Sequence, residues 1–206
     1  MAAGLLFGCA TDRRREEEPA RSLVVLLQPL GEVSARHLDS VDIALRREHG
    51  VEVLRAAPVP LPKHAFVNVR APRYRADSLI AWLRSIMPDT VDRIMGLTTV
   101  DISATKRDQT GAIKAPSWKY TDFGIFGLAR VGGASCVIST YRLGDADHPK
   151  FHDRLMKISV HELGHTRSLP HCKDLACVMR DAVERMASVD GCGRALCPAC
   201  RSRLAH

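Results

Sequence analysis

Apolar and polar positions alternate along this chain with β and α periods in turn. Leu23 to Leu27 is an unbroken apolar run, closed by Pro29 and Gly31, and predicts a buried strand. Ser34 to His49 carries Leu38, Val41, Ile43 and Leu45 among charges, which predicts an amphipathic helix stopped by Gly50. Val51 to Ala56 reads as a second strand, followed by a loop marked by Pro58, Pro60 and Pro62, then a short strand within Ala65 to Val69. Asp77 is the predicted cap of a helix running to Met87, with Pro88 as its stop. Arg93 to Ile102 predicts a third main strand, and Ser103 to Ser117 a loop. Asp122 to Arg130 and Gly133 to Arg142 predict two strands joined by Val131-Gly132-Gly133. Pro149 opens a long helix through Phe151, Leu155, Ile158 and Leu163. Beyond Pro170 the pattern breaks into short turns around cysteines.

The domain organisation expected is a leader over residues 1–20 and one folded unit over 21–206. That unit divides into 21–168, ending in the long helix, and a cysteine-rich 169–206. Arg13-Arg14-Arg15-Glu16-Glu17-Glu18-Pro19 is a solvated charge run. The chain has 206 residues, 46% of them hydrophobic and 26% charged, which suits a folded core and argues against general disorder. Aromatic residues make only 5%, too few for a base-stacking platform. The net charge of +7 permits anionic partners, yet no basic patch names a nucleic acid. No apolar run is long enough for a membrane span. Leu5-Leu6-Phe7-Gly8-Cys9 looks like the end of a lipoprotein signal, which would need a start further upstream to work. The expected location is cytoplasmic, with a lipid-anchored or exported form through Cys9 as the alternative. A monomer is expected.

His161-Glu162-Leu163-Gly164-His165 places two imidazoles at i and i+4 on one helical face, where they converge on one metal. Glu162 lies beside the first of them, within reach of a metal-activated water. His171 follows Pro170, and a residue before proline is pushed out of the α region, so the helix should end near Ser168-Leu169 and let the chain bring His171 round. Three neutral imidazoles with an open position suit a catalytic zinc. Glu184, downstream of His165, is the alternative third ligand; its neighbours read as a turn of surface helix, and His171 is preferred.

Five of the seven cysteines lie beyond residue 170, and an odd total excludes complete pairing within one chain. Cys172 and Cys177, with the C-x-x-C pair Cys197 and Cys200, can supply four thiolates to a closed, structural zinc. A redox pair or disulfides are the alternatives. Cys136 reads as a small buried hydrophobe, and Cys192 as a loose end near the second pair.

The run from His161 to Cys200 resembles the archaemetzincin family of zinc metalloproteases. The family pattern is H-E-x-x-H-x-x-G-x-x-H-C, four residues, C-x-M, seventeen residues, C-x-x-C, and this chain matches it at every position but one. The resemblance implies an α+β, metzincin-like fold, with a twisted mixed sheet over an active-site helix and a zinc-bound, cysteine-rich C-terminal part. It implies that Met179 forms the Met-turn beneath the histidines. Ser168 stands where the family has glycine, at a helix end that turns left-handed; serine adopts that conformation at a cost of about 1 kcal/mol.

The function these residues predict is peptide-bond hydrolysis by a zinc-activated water, with Glu162 as general base and His161, His165 and His171 as zinc ligands. Two zinc ions per chain are expected, one catalytic and one structural. The substrate is a peptide or protein. The Gly133 to Thr140 strand is the expected sheet edge for substrate pairing, and Tyr141 and Arg142 are candidate cleft residues. The rival reading is a non-catalytic zinc-binding module that contacts nucleic acid or protein.

Overall fold

The structure, a computed structural model, describes residues 21–181 and 185–204. In chain order its strands and helices begin with β1 (Val24–Leu30), α1 (Ala35–His49) and β2 (Glu52–Arg55). Next come β3 (Phe66–Asn68), β4 (Pro72–Arg75), α2 (Ala76–Ile86), β5 (Arg93–Thr98) and β6 (Ile102–Ala104). Then follow α3 (Ser117–Tyr120), β7 (Phe123–Ile125), β8 (Gly127–Ala129), β9 (Ser135–Ser139) and the long α4 (Phe151–Thr166). Two short helices, α5 (Met186–Gly191) and α6 (Pro198–Leu204), complete the set.

A five-stranded mixed sheet runs in the order β2-β1-β5-β9-β8. Its inner strands read as continuous apolar runs because both faces are covered. Val25, Leu27, Met95, Leu97, Cys136 and Ile138 point to the face where α1 and α4 pack. The intervening Ile94 and Val137 join Leu79, Ile80 and Leu83 of α2 on the other. Cys136 is thus a core residue, as expected. The helix predicted to stop at Gly50 does so: Ser34 accepts from the His37 N–H at its start, and Gly50 closes it at φ 62°.

Some expectations are corrected. The helix before Pro88 starts at Ala76, after an uncapped Arg75, so Asp77 lies inside its first turn, where its charge favours the helix dipole. The predicted Arg93–Ile102 strand breaks in two. The first piece stops at Thr98, and Ile102 opens β6, which takes in Ser103 and Ala104 of the expected loop and enters a four-stranded sheet of order β3-β4-β6-β7. The Gly133–Thr140 region is not an edge: β9 is paired parallel to β5 on one side and antiparallel to β8 on the other. The edge belongs to β8, because the glycine turn folds it back outside β9. Pro149 precedes α4 by two residues, and Lys150 stands at the N-cap position without a side-chain hydrogen bond. Arg142 is turned away from the histidines and binds Asp101 through Nε and Nη2 at 2.7 and 2.6 Å, while Tyr141 is exposed. Cys9 and Glu184 lie outside the described residues.

Buried cations on α4 fasten the C-terminal segment. Arg154 donates to Asp190 through Nε and Nη2, both at 2.7 Å, and through Nη1 to the Leu143 carbonyl at 2.7 Å. The Lys157 ammonium reaches Asp153 at 2.9 Å and the Val189 carbonyl at 3.2 Å. The Arg154 hydrogen bonds hold the Asp190 carboxyl down at about 2. A depressed carboxyl contributes stability that is full above its unfolded pKa, near 4, and lost as pH falls through the folded value. Asp190→Asn should therefore cost about 2 kcal/mol at pH 7, and urea titrations should find that deficit vanishing as pH approaches 2.

Candidate metal centre

His161, Glu162 and His165 sit on the last two turns of α4, all buried. The helix ends in a Schellman motif: the Leu169 N–H donates to the Gly164 carbonyl at 3.0 Å, and the Ser168 N–H to the His165 carbonyl at 3.0 Å. Ser168 takes φ 64°, alone among the described non-glycine residues in the left-handed region. The chain turns there as expected and returns His171 beside the first two histidines. Its ring centroid lies 5.3 Å from that of His161 and 4.9 Å from that of His165. One ring nitrogen from each of the three lies within 4.8 Å of the others.

Main-chain carbonyls fix how the two helical imidazoles face. His161 donates from Nδ1 to the Val178 carbonyl at 2.9 Å, and His165 from Nδ1 to the Leu169 carbonyl at 2.8 Å. That sets the tautomer and leaves both Nε2 atoms as lone-pair donors, 3.0 Å apart. Burial, aided by His165, holds His161 neutral down to about 4, and burial also lowers His165. Two lone pairs so close call for a cation between them. Nitrogens on a tetrahedral zinc stand about 3.3 Å apart, so the set fits that ion. Glu162 points from the same helix into the cleft. Burial pushes its carboxyl up to about 8, against the opposing pull of Lys106. Its Cγ and Oε1 occupy the space that a Cβ on Gly127 would fill, at 2.8 and 2.9 Å.

The cysteine set converges too. The Sγ atoms of Cys172, Cys177, Cys197 and Cys200 lie within 4.8 Å of one another. Cys172 and Cys197 stand 3.8 Å apart, close to the edge of a zinc–sulfur tetrahedron (about 3.8 Å) and far from a disulfide bond (about 2 Å). Cys192 is not among the four; its thiol donates to the Val189 carbonyl at 3.2 Å. The two centres share one strip of backbone. The Cys172 N–H donates to the Met179 carbonyl at 2.8 Å, and Val178, which turns His161, lies between Cys177 and Met179. Met179 is fully buried against Gly164, where any Cβ would overlap its sulfur. Sequence reasoning had no view of Gly164 as a seat for Met179, although a residue without a side chain between the two histidines is the legible trace of it. Nor could it foresee that the carbonyls of Val178 and Leu169 orient the imidazoles.

A cleft of about 670 Å³ opens over the three histidines and Glu162. Edge strand β8 forms one wall, through Gly127, Leu128 and Ala129, and Lys106, Arg107 and Lys114 line another. The sequence profile of Peptidase family M54 matches residues 38–206 of this chain. The chain belongs to the archaemetzincins. It is 32% identical to the archaemetzincin of Halobacterium salinarum over 84% of its own length and 94% of that protein. It is 39% identical to the archaemetzincin of Methanopyrus kandleri over a stretch that spans 58% of each chain. The crystal structure of the Methanopyrus kandleri protein superposes with a TM-score of 0.73 at 29% identity, covering 89% of this chain and 94% of that one. This archaemetzincin is therefore a zinc metalloprotease with the mixed α/β fold of its family.

Ser168 makes a test of the turn. Ser168→Gly should stabilise the chain by about 1 kcal/mol and bind zinc at least as tightly in a competitive chelator titration. Weaker binding would show that the left-handed turn does not limit the site. Gly164→Ala should do the reverse, displacing Met179 and lowering zinc affinity about tenfold or more in the same titration.

Proposed function

We propose that this archaemetzincin hydrolyses peptide bonds with a zinc held by His161, His165 and His171 and with Glu162 as general base. The observation that carries this reading is the convergence of three imidazole nitrogens, two of them turned by backbone carbonyls, beside a buried carboxylate in an open cleft. Zinc, when bound there, lowers the pKa of a water and polarises the scissile carbonyl. Glu162 accepts a proton at its carboxylate and returns one to the leaving amine. Gly127 leaves the carboxylate its space. The exposed edge of β8 is the surface on which an extended peptide pairs, a role assigned here to Gly127–Ala129 in place of the Gly133–Thr140 strand.

A second zinc at Cys172, Cys177, Cys197 and Cys200 is structural, because four thiolates leave no open position. It fixes the strip that carries Val178 and Met179, with Met179 as the Met-turn. Residues 21–206 work as one protease unit in this reading. Four metal-bound thiolates also favour a reducing cytoplasm. No helix among the described residues is long and apolar enough to cross a membrane.

Glu162→Ala should keep its zinc while losing at least about 100-fold in kcat/KM on a generic peptide substrate. A non-catalytic zinc module would lose nothing, and a variant that still cleaves would overturn the assignment. Native protein should carry two zinc ions by mass spectrometry, falling to one when Cys197 and Cys200 are both replaced by serine. Gly127→Ala should leave zinc content unchanged and lower kcat, because the added methyl displaces Glu162.

A further inference from the structure

A second hollow, of about 550 Å³, lies outside the histidine cleft, with Arg70, Arg73, Trp118, Lys119, Phe123 and Arg142 among its lining residues. The two cavities are neighbours. Phe123, Gly124 and Phe126 border the hollow, whereas Ile125 and Gly127 border the cleft. The Lys106 ammonium, which lines the cleft, stands 5.6 Å from the Phe123 ring centre. Residues 123–129 carry the terminal strands of both sheets, β7 and β8, so an extended chain laid along them passes from one cavity to the other.

The charge of the hollow is unbalanced. Arg142 is locked onto Asp101 by two hydrogen bonds, and Arg73 reaches Asp101 at 2.7 Å and Asp122 at 3.3 Å. Two carboxylates thus answer those two cations and hold them rigid. Arg70 and Lys119 add two more cations, each exposed and without a carboxylate partner among the described residues. Arg70 lies over the Trp118 ring at 5.2 Å and donates to the Lys119 carbonyl at 3.4 Å; the Lys119 ammonium stands 5.0 Å from the Tyr120 ring. Trp118 itself is 67% exposed. The contact with Trp118 orders the Arg70 guanidinium at an exposed position. Two surplus cations suit the carboxylates of a peptide rather than the continuous phosphates of a nucleic acid, which need a longer basic track.

We propose that this hollow is a subsite for acidic side chains of the peptide substrate, remote from the scissile bond. The word substrate rests on the peptidase reading above; the recognition of an acidic peptide does not. Gly127, against Glu162, and Phe123 are four positions apart, or about 13 Å of extended chain, so the acid sits about four residues from the bond that is cut.

The test uses zinc-loaded Glu162→Gln protein and a fluorescein-labelled peptide of about twelve residues, long enough to span both cavities, with glutamates flanking a neutral centre. Its partner peptide has glutamine at those positions. Fluorescence anisotropy should show the glutamate peptide bound about tenfold more tightly at low salt. Adding Arg70→Glu and Lys119→Glu should abolish that preference, and adding Arg107→Glu in the cleft should leave it in place. Equal binding of the two peptides, loss of preference with Arg107→Glu alone, or tighter binding of a single-stranded DNA oligomer would each overturn the proposal. With the native chain, the glutamate peptide should be cleaved at lower KM. Preferential binding without cleavage of either peptide would remove the peptidase reading and leave the acidic subsite standing.

Discussion

Everything near the end of α4 depends on one short-range constraint: the helix must stop within three residues of His165 and reverse. The reversal is made at Ser168, at φ 64°, and it delivers the Leu169 carbonyl to His165 and His171 to the cluster. Without it, a continuing helix would carry residue 171 around to another face. Serine pays a conformational penalty there that glycine would not, yet the hydrogen bonds of the helix end and the packing of Leu169 beneath Gly164 hold it in place.

The two cysteine pairs act on the same geometry from the other side. Val178 stands between Cys177 and Met179, and its carbonyl sets the tautomer of His161. The Val178 N–H is in turn bonded to the Ala195 carbonyl at 3.0 Å, beside the second pair. Arg154 and Lys157 anchor the segment between them through Asp190 and the Val189 carbonyl. The histidine cluster is thus gripped by a frame whose members run from Arg154 to Cys200 in sequence but are adjacent in space.

The motif helix, the first helix with its serine and glycine ends, and the main strands were legible because each carries a long, unmixed period. The four-stranded sheet was not. Its strands are only three or four residues long, so alternation has no room to declare itself. The edge was misjudged for a different reason. Ser135–Ser139 and Gly127–Ala129 look alike as short apolar runs, and only the pairing of the outer one onto the inner decides which is covered. The convergence of the three histidines was readable from spacing, since i and i+4 on a helix and a nearby helix stop are local facts. The carbonyls that orient the rings come from the tertiary fold and leave no mark on residue identity.

The position of the second cysteine pair has a consequence for biosynthesis. Cys197 and Cys200 are made more than thirty residues after His161, and they converge with Cys172 and Cys177 on the strip whose Val178 carbonyl the His161 ring bonds. A nascent chain that has already folded its sheet and α4 still lacks that support. The orientation of the His161 ring is therefore settled later than the helix that carries it, and a chain interrupted before Cys197 would keep α4 without the contacts that turn its imidazole.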